Sequence, residues 1–157
     1  MSRLDITQHA PEGFHAVLAL EQYVRGRLDR ELLELVKLRA SQLNGCAFCV
    51  DMHATDLEAA GVPTRKIYAV SAWRETDFFT PTERAALALT EQVTLLPGGV
   101  DEKTWQSAAR ELTERELADL LLAIGTINLW NRIAVPTRQA PPPLAGATYP
   151  AVAAAAR

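Results

Sequence analysis

Apolar residues along this chain recur at three- and four-residue intervals, and no segment alternates in twos over β-branched positions. That pattern predicts helices throughout and no sheet. Pro11 opens the first helix, running to about Arg27, with Val17, Leu18, Leu20 and Tyr23 as its apolar face. Asp29 caps a second, in which Leu32, Leu33, Leu35, Val36 and Leu38 recur at helical spacing and Asn44-Gly45 is the stop. A third starts at or near Cys46 and ends before Gly61, since Pro63 bars continuation. Thr64 caps a short fourth through Ile67, Val70 and Trp73. Thr80-Pro81-Thr82-Glu83 is a capping box with proline at the first helical position, and it launches a run to Leu96 that Gly98-Gly99 breaks. Asp101 to Leu112 reads as another helix. Thr113 with Glu116 then opens a long, buried one reaching about Ala134, before Pro136.

The expected fold class is therefore all-α, a single-domain bundle of about six to seven helices over residues 1–135. Residues 136–157 form a Pro/Ala-rich tail, extended around Pro141 to Pro143, either loose or laid on a neighbouring subunit. A chain of 157 residues can bury one real core without covalent staples. A net charge of −3 has no basic excess to attract nucleic acid or an anionic membrane. The most membrane-like stretch, Leu117 to Val135, carries Asp119, Asn128, Asn131 and Arg132, each costly in hydrocarbon, so a buried core helix is expected instead. The opening residues MSRLDITQHAPEGF lack the apolar centre of a signal peptide, which points to the cytoplasm. Thiols are kept reduced there, so the two cysteines are expected to do chemistry rather than staple the fold.

That chemistry gathers in Asn44-Gly45-Cys46-Ala47-Phe48-Cys49-Val50-Asp51-Met52-His53. Cys46 and Cys49 stand at i and i+3, and Cys49 and His53 at i and i+4, so a helix puts all three on one face. The helix start at Cys46 favours a thiolate through exposed N–H groups and the dipole. His53 is placed to act on Cys49 as a base or to hold a proton for a leaving group, and the two thiols can close into a disulfide. Glu34, twelve residues before Cys46 on the preceding helix, is the candidate to orient His53, because an antiparallel helix pair folds it back onto the cysteine face. A rival assignment gives Cys46, Cys49, His53 and Glu34 to a structural zinc, although there is no second Cys pair to complete the usual set. A solvated Glu34 paired with Lys37 or Arg39 is the plainer alternative for that residue. Trp73, Trp105 and Trp130 read as core or subunit contacts, Asn128, Asn131 and Arg132 as hydrogen-bonding groups at a helix end or subunit interface, and His9 as surface.

The run ELVKLRASQLNGCAFCVDMH, from Glu34 to His53, resembles the AhpD-like alkylhydroperoxidases of the carboxymuconolactone decarboxylase superfamily. The resemblance extends through Ala72 to Thr76, Thr82 to Leu89 and Ile127 to Arg132, and covers roughly Pro11 to Val135. It implies an all-helical fold assembling into a homo-trimer or homo-hexamer, and a thiol peroxidase acting on hydroperoxides. Carried over residue by residue, it implies that Cys49 attacks the peroxide, Cys46 resolves the sulfenic acid, and Glu34 and His53 relay the proton. No cofactor or metal is implied beyond the redox-active Cys46–Cys49 disulfide, which an external dithiol, lipoyl-bearing or thioredoxin-like, would reduce. One position departs from the pattern: the best-known relatives carry a second histidine just before the attacking cysteine, where this chain has Phe48. A thiol–disulfide exchange or redox-sensing module is the alternative that this departure strengthens. The decarboxylase branch lacks the cysteine pair, which points away from lactone decarboxylation.

Overall fold

The computed structural model describes residues 2–145, and within them every regular element is helical. The α-helices are α1 (Ile6–His9), α2 (Pro11–Arg25), α3 (Arg30–Asn44), α4 (Ala47–Ala59), α5 (Thr64–Ala69), α6 (Pro81–Thr94), α7 (Glu102–Glu111) and α8 (Glu114–Thr137). Short 3-10 turns follow α5 (Val70–Glu75) and α6 (Leu96–Gly98). No helix among the described residues is long and apolar enough to cross a membrane.

The architecture is set by α3. From Leu32 to Leu38 every residue is buried, so this helix is covered on all sides, by α4, α6 and α8. Leu32 and Val36 pack with Ala86, Leu89, Leu120 and Ile124 on one side. Leu35 and Leu38 pack with Leu57, Ile67, Trp73 and Leu87 on another. Ala40 joins the cysteines, Phe48, Met52, Ile127 and Ala134 on a third. Each such leucine contributes roughly 1.5–3 kcal/mol of burial.

Several boundaries differ from the sequence expectation. Asp5 caps the extra helix α1 by accepting from the Thr7 N–H, so His9 ends a helix rather than preceding the first, although it remains exposed. The stripe that α2 buries is Phe14, Glu21 and Val24; Tyr23 faces out, and its hydroxyl donates to Asp119. Thr64 is the first residue inside α5, with Pro63 in the cap position. Trp105 is 37% exposed in the single chain and so lies outside its core. The helix α8 is not buried all round, since Leu122, Leu129 and Val135 are exposed, and it runs through Pro136 to Thr137. Pro136 has no N–H to give the Arg132 carbonyl, so one bond of the ladder is lost, and the helix ends at the next residue. The first two residues assigned to the tail are thus helical, Pro141 to Pro143 carry no regular structure, and the tail beyond residue 145 lies outside the described residues.

The N-terminal residues lie against the end of α8: the Arg3 N–H and the Ser2 hydroxyl both donate to the Thr137 carbonyl, at 2.8 and 3.1 Å. This closes one side of the cavity described next.

Candidate active site

The turn from α3 to α4 builds the site. Gly45 takes the left-handed conformation (φ 67°), which a side chain would strain, and the N–H of Cys46 reaches back to the Ser41 carbonyl at 3.0 Å. The chain reverses within two residues, so α4 runs back along α3. Cys46 becomes the N-cap of α4 rather than a residue inside it, and its sulfur accepts the Cys49 N–H at 3.4 Å. Both thiols are free and 2% exposed.

The same reversal sets His53, two turns into α4, beside Glu34 on α3. His53 Nδ1 lies 2.7 Å from Glu34 Oε2, with both side chains buried. An ionised carboxylate only accepts, so Nδ1 carries the hydrogen and Nε2 is left with its lone pair. Nε2 is buried and has no hydrogen-bond partner. Lys37, the alternative partner for Glu34, pairs instead with Glu21 on α2.

Burial works to raise the Glu34 pKa, but the hydrogen bond and electrostatic attraction of His53, followed by the charges of Lys37 and Arg25, outweigh it and hold the carboxyl below its usual value. A carboxyl depressed in the native state stabilises fully above its unfolded value, about 4.3, and loses that contribution as pH falls through the native value. Glu34→Gln is therefore expected to flatten the acid limb of stability below about pH 4.3. Urea midpoints measured from pH 7 downward check this, and an unchanged acid limb would contradict it.

Cys46 is lowered to about 7, first by the hydrogen bond from the Cys49 thiol, then against burial by the Cys49 N–H, the Asn131 side chain and the Phe48 N–H. Cys49 is raised by donating that hydrogen bond, by burial and by the Cys46 charge. The first negative charge of the resting dithiol therefore sits on Cys46.

Cys49, however, faces the cavity. A cavity of about 300 Å³ is lined by Cys49 and His53 together with Phe14, Phe48, Met52, Ile127 and Trp130, while Leu4 and Ile6 form part of its N-terminal side. Cys46 is not among its lining residues. Glu21 reaches the same cavity, held by Lys37, Arg25 and the Trp130 indole N–H. Phe48, where a second histidine was the alternative, adds apolar wall.

The zinc arrangement read from the sequence is not assembled. The close donor group among the described residues is Glu34, His53 and Asp56, with ligand atoms within 4.8 Å of one another and neither cysteine included. An ion taking His53 Nδ1 there would displace the Glu34 hydrogen bond.

One further residue of the site, Glu21, was not singled out from the sequence, and two others, Lys37 and Asn131, take roles other than those the sequence reading gave them. Glu21 stands seven residues after Phe14 and three before Val24, on one stripe of α2, and a charge on an apolar stripe was the available signal. Lys37 interrupts the apolar run of α3 in the same way. Asn131 lies between Ile127 and Ala134 on the buried face of α8 and is 1% exposed, so it belongs to the interior rather than to a helix end or interface.

Residues 11–92 match the model of the carboxymuconolactone decarboxylase family. The uncharacterised protein YdfG of Bacillus subtilis is 40% identical over 135 residues, 85% of this chain and 92% of that one. A solved structure from Agrobacterium tumefaciens, described as of unknown function with a suggested AhpD antioxidant-defence role, is 39% identical with a TM-score of 0.86. It covers 88% of this chain and 97% of its own. The debrominase Bmp8 shares the fold at 20% identity and a TM-score of 0.69, over 90% of this chain and 73% of its own. With the family match over more than half its length and YdfG matching most of the rest, this chain belongs to the carboxymuconolactone decarboxylase family and has the AhpD-like fold.

Proposed function

We propose that this protein is a thiol-dependent peroxidase that reduces organic hydroperoxides. One observation carries the reading: Cys49 and His53 line the same apolar cavity, with Glu34 fixing the imidazole from behind. The Cys49 proton passes across their hydrogen bond to the Cys46 thiolate, and the Cys49 thiolate so formed attacks the terminal oxygen of the hydroperoxide while His53 Nε2 relays a proton from solvent to the leaving oxygen. The O–O bond breaks, the alkoxide takes the proton from His53, and Cys49 is left as a sulfenic acid. The Cys46 thiol then attacks the Cys49 sulfur, the S–O bond breaks, and the hydroxide leaves as water with the Cys46 proton. Two thiols are oxidised to one disulfide and one hydroperoxide is reduced to alcohol and water. An external dithiol, lipoyl-bearing or thioredoxin-like, restores the pair. The aromatic and aliphatic lining favours an organic hydroperoxide over hydrogen peroxide, because burial of apolar surface contributes only to the former. Assembly into a trimer or hexamer belongs to the same reading, and exposed Leu122 and Leu129, seven residues apart on α8, are apolar surface for it to bury.

The test is a thiol count with intact mass before and after one equivalent of cumene hydroperoxide. The expected result is loss of both thiols, a decrease of about 2 Da, and alcohol in equal amount. Two thiols surviving would overturn the peroxidase reading. Thiol–disulfide exchange would then take its place, a reading favoured by the lowered Cys46 thiol and marked by rapid reduction of a protein disulfide with negligible peroxide consumption.

A further inference from the structure

Three residues of α8 face the cysteines. Ile127, Asn131 and Ala134 fall on one face, and Ile127 and Ala134 pack in the same buried cluster as Cys46 and Cys49. Asn131 is the polar member of that face, set between two apolar contacts with the dithiol.

Its amide has little freedom. The oxygen Oδ1 accepts from Asn44 Nδ2 at 2.8 Å, and Nδ2 donates to Ser41 Oγ at 3.1 Å. Asn44 is in turn held by Asn128 Oδ1 at 3.0 Å, and Asn128 donates to Thr94 and to the Ile124 carbonyl. An amide group has two N–H donors. With Oδ1 committed to Asn44, the NH2 end points the other way; one N–H goes to Ser41, and the other remains on the face that packs against Cys46 and Cys49, where the Asn131 side chain works to lower both thiols.

We propose that Asn131 is a positioning residue of the dithiol: clamped by Asn44 and Ser41, it directs its remaining N–H at the two sulfurs and stabilises negative charge on whichever carries it. A donor fixed before the charge appears needs no reorganisation, and in a buried site it acts at low dielectric. The same N–H serves the Cys46 thiolate at rest and the Cys49 thiolate during attack, so it eases the shift of charge between them. The titratable groups nearest the pair are His53 on α4, Glu34 on α3 and Glu21 on α2 across the cavity, none of which is altered by changing Asn131. The inference rests on the dithiol being the working group of the proposed function, but not on what oxidises it.

The experiment follows thiol ionisation in reduced protein without peroxide, by thiolate absorbance and iodoacetamide alkylation against pH. Asn131→Ala and the near-isosteric Asn131→Leu are expected to move the first ionisation up by about one pH unit, about a five-fold loss of thiolate at neutral pH. Ser41→Ala removes one side of the clamp and is expected to move the profile in the same direction by a smaller amount. Wild-type NMR supplies a readout independent of folding of the variants: the Asn131 side-chain NH2 resonances should titrate together with the thiol. Asn131 variants that fold with an unshifted profile, or an Asn131 amide insensitive to thiol ionisation, would overturn the proposal. Peroxide-inert protein with an Asn131-dependent profile would remove the peroxidase reading and leave this one standing.

Discussion

Cys49→Ser is expected to lose turnover of cumene hydroperoxide by on the order of 10³-fold or more, as removal of a covalent nucleophile does elsewhere. Cys46→Ser should differ in kind. It should consume one equivalent and stop, because Cys49 still faces the cavity while nothing nearby resolves its sulfenic acid. A dimedone adduct on Cys49, seen by mass spectrometry in that variant alone, marks the stalled species. The contrast separates two roles that charge alone would assign the other way round. The resting thiolate is on Cys46, so an enzyme attacking from its more acidic thiol would be silenced by Cys46→Ser and would stall after one equivalent in Cys49→Ser. In the proposed reaction position overrides acidity: the cavity meets Cys49, and a hydrogen-bonded proton is easily passed along. The reverse mutant pattern would refute the assignment.

Lys37→Met is expected to cost about 3–5 kcal/mol of stability, the usual penalty for breaking a buried ion pair from one side. Lys37 is wholly buried on α3, and its ammonium meets Glu21, itself 2% exposed on α2. Removing the lysine strands a carboxylate that keeps only Arg25 at 3.3 Å and the Trp130 indole at 3.1 Å. For a chain of this size the melting temperature should fall on the order of 10 °C. The double variant Glu21→Gln with Lys37→Met should recover much of the loss, since no charge is then left buried. Thermal melts of the three proteins decide it, and a Lys37→Met loss under about 1 kcal/mol would show that the pair is not desolvated in solution. Glu21 also lines the cavity and Lys37 helps hold Glu34 ionised, so the pair links core stability to the site.

Most of the helices were legible because their signals are local. The capping boxes at Thr80 and Thr113 form as read, with Glu83 and Glu116 returning the second hydrogen bond. Asn44-Gly45 ends α3, and the all-helical class with its family resemblance agrees with the observed fold. Less local features were misjudged. Pro136 suggested a stop ahead of it, whereas α8 ends one residue past it, and the apolar residues of α8 suggested burial on every side, although three of them face out.

The site divides along the same line. Spacing alone put Cys46, Cys49 and His53 on one helix, because residues three and four apart share a face whatever surrounds them. The distance from Glu34 to His53, the cavity against Cys49 rather than Cys46, and the polar contacts of Glu21, Lys37 and Asn131 join residues up to 109 positions apart. No periodicity encodes such pairings. They arise when α2, α3 and α8 pack, and the burial that follows makes each polar group find a partner. The sequence by itself determined the helices, their caps and the chemistry available on α4. Packing determined which thiol meets the cavity, which carries the charge, and which buried partners hold them, because desolvation and contact across helices are properties of the assembled core.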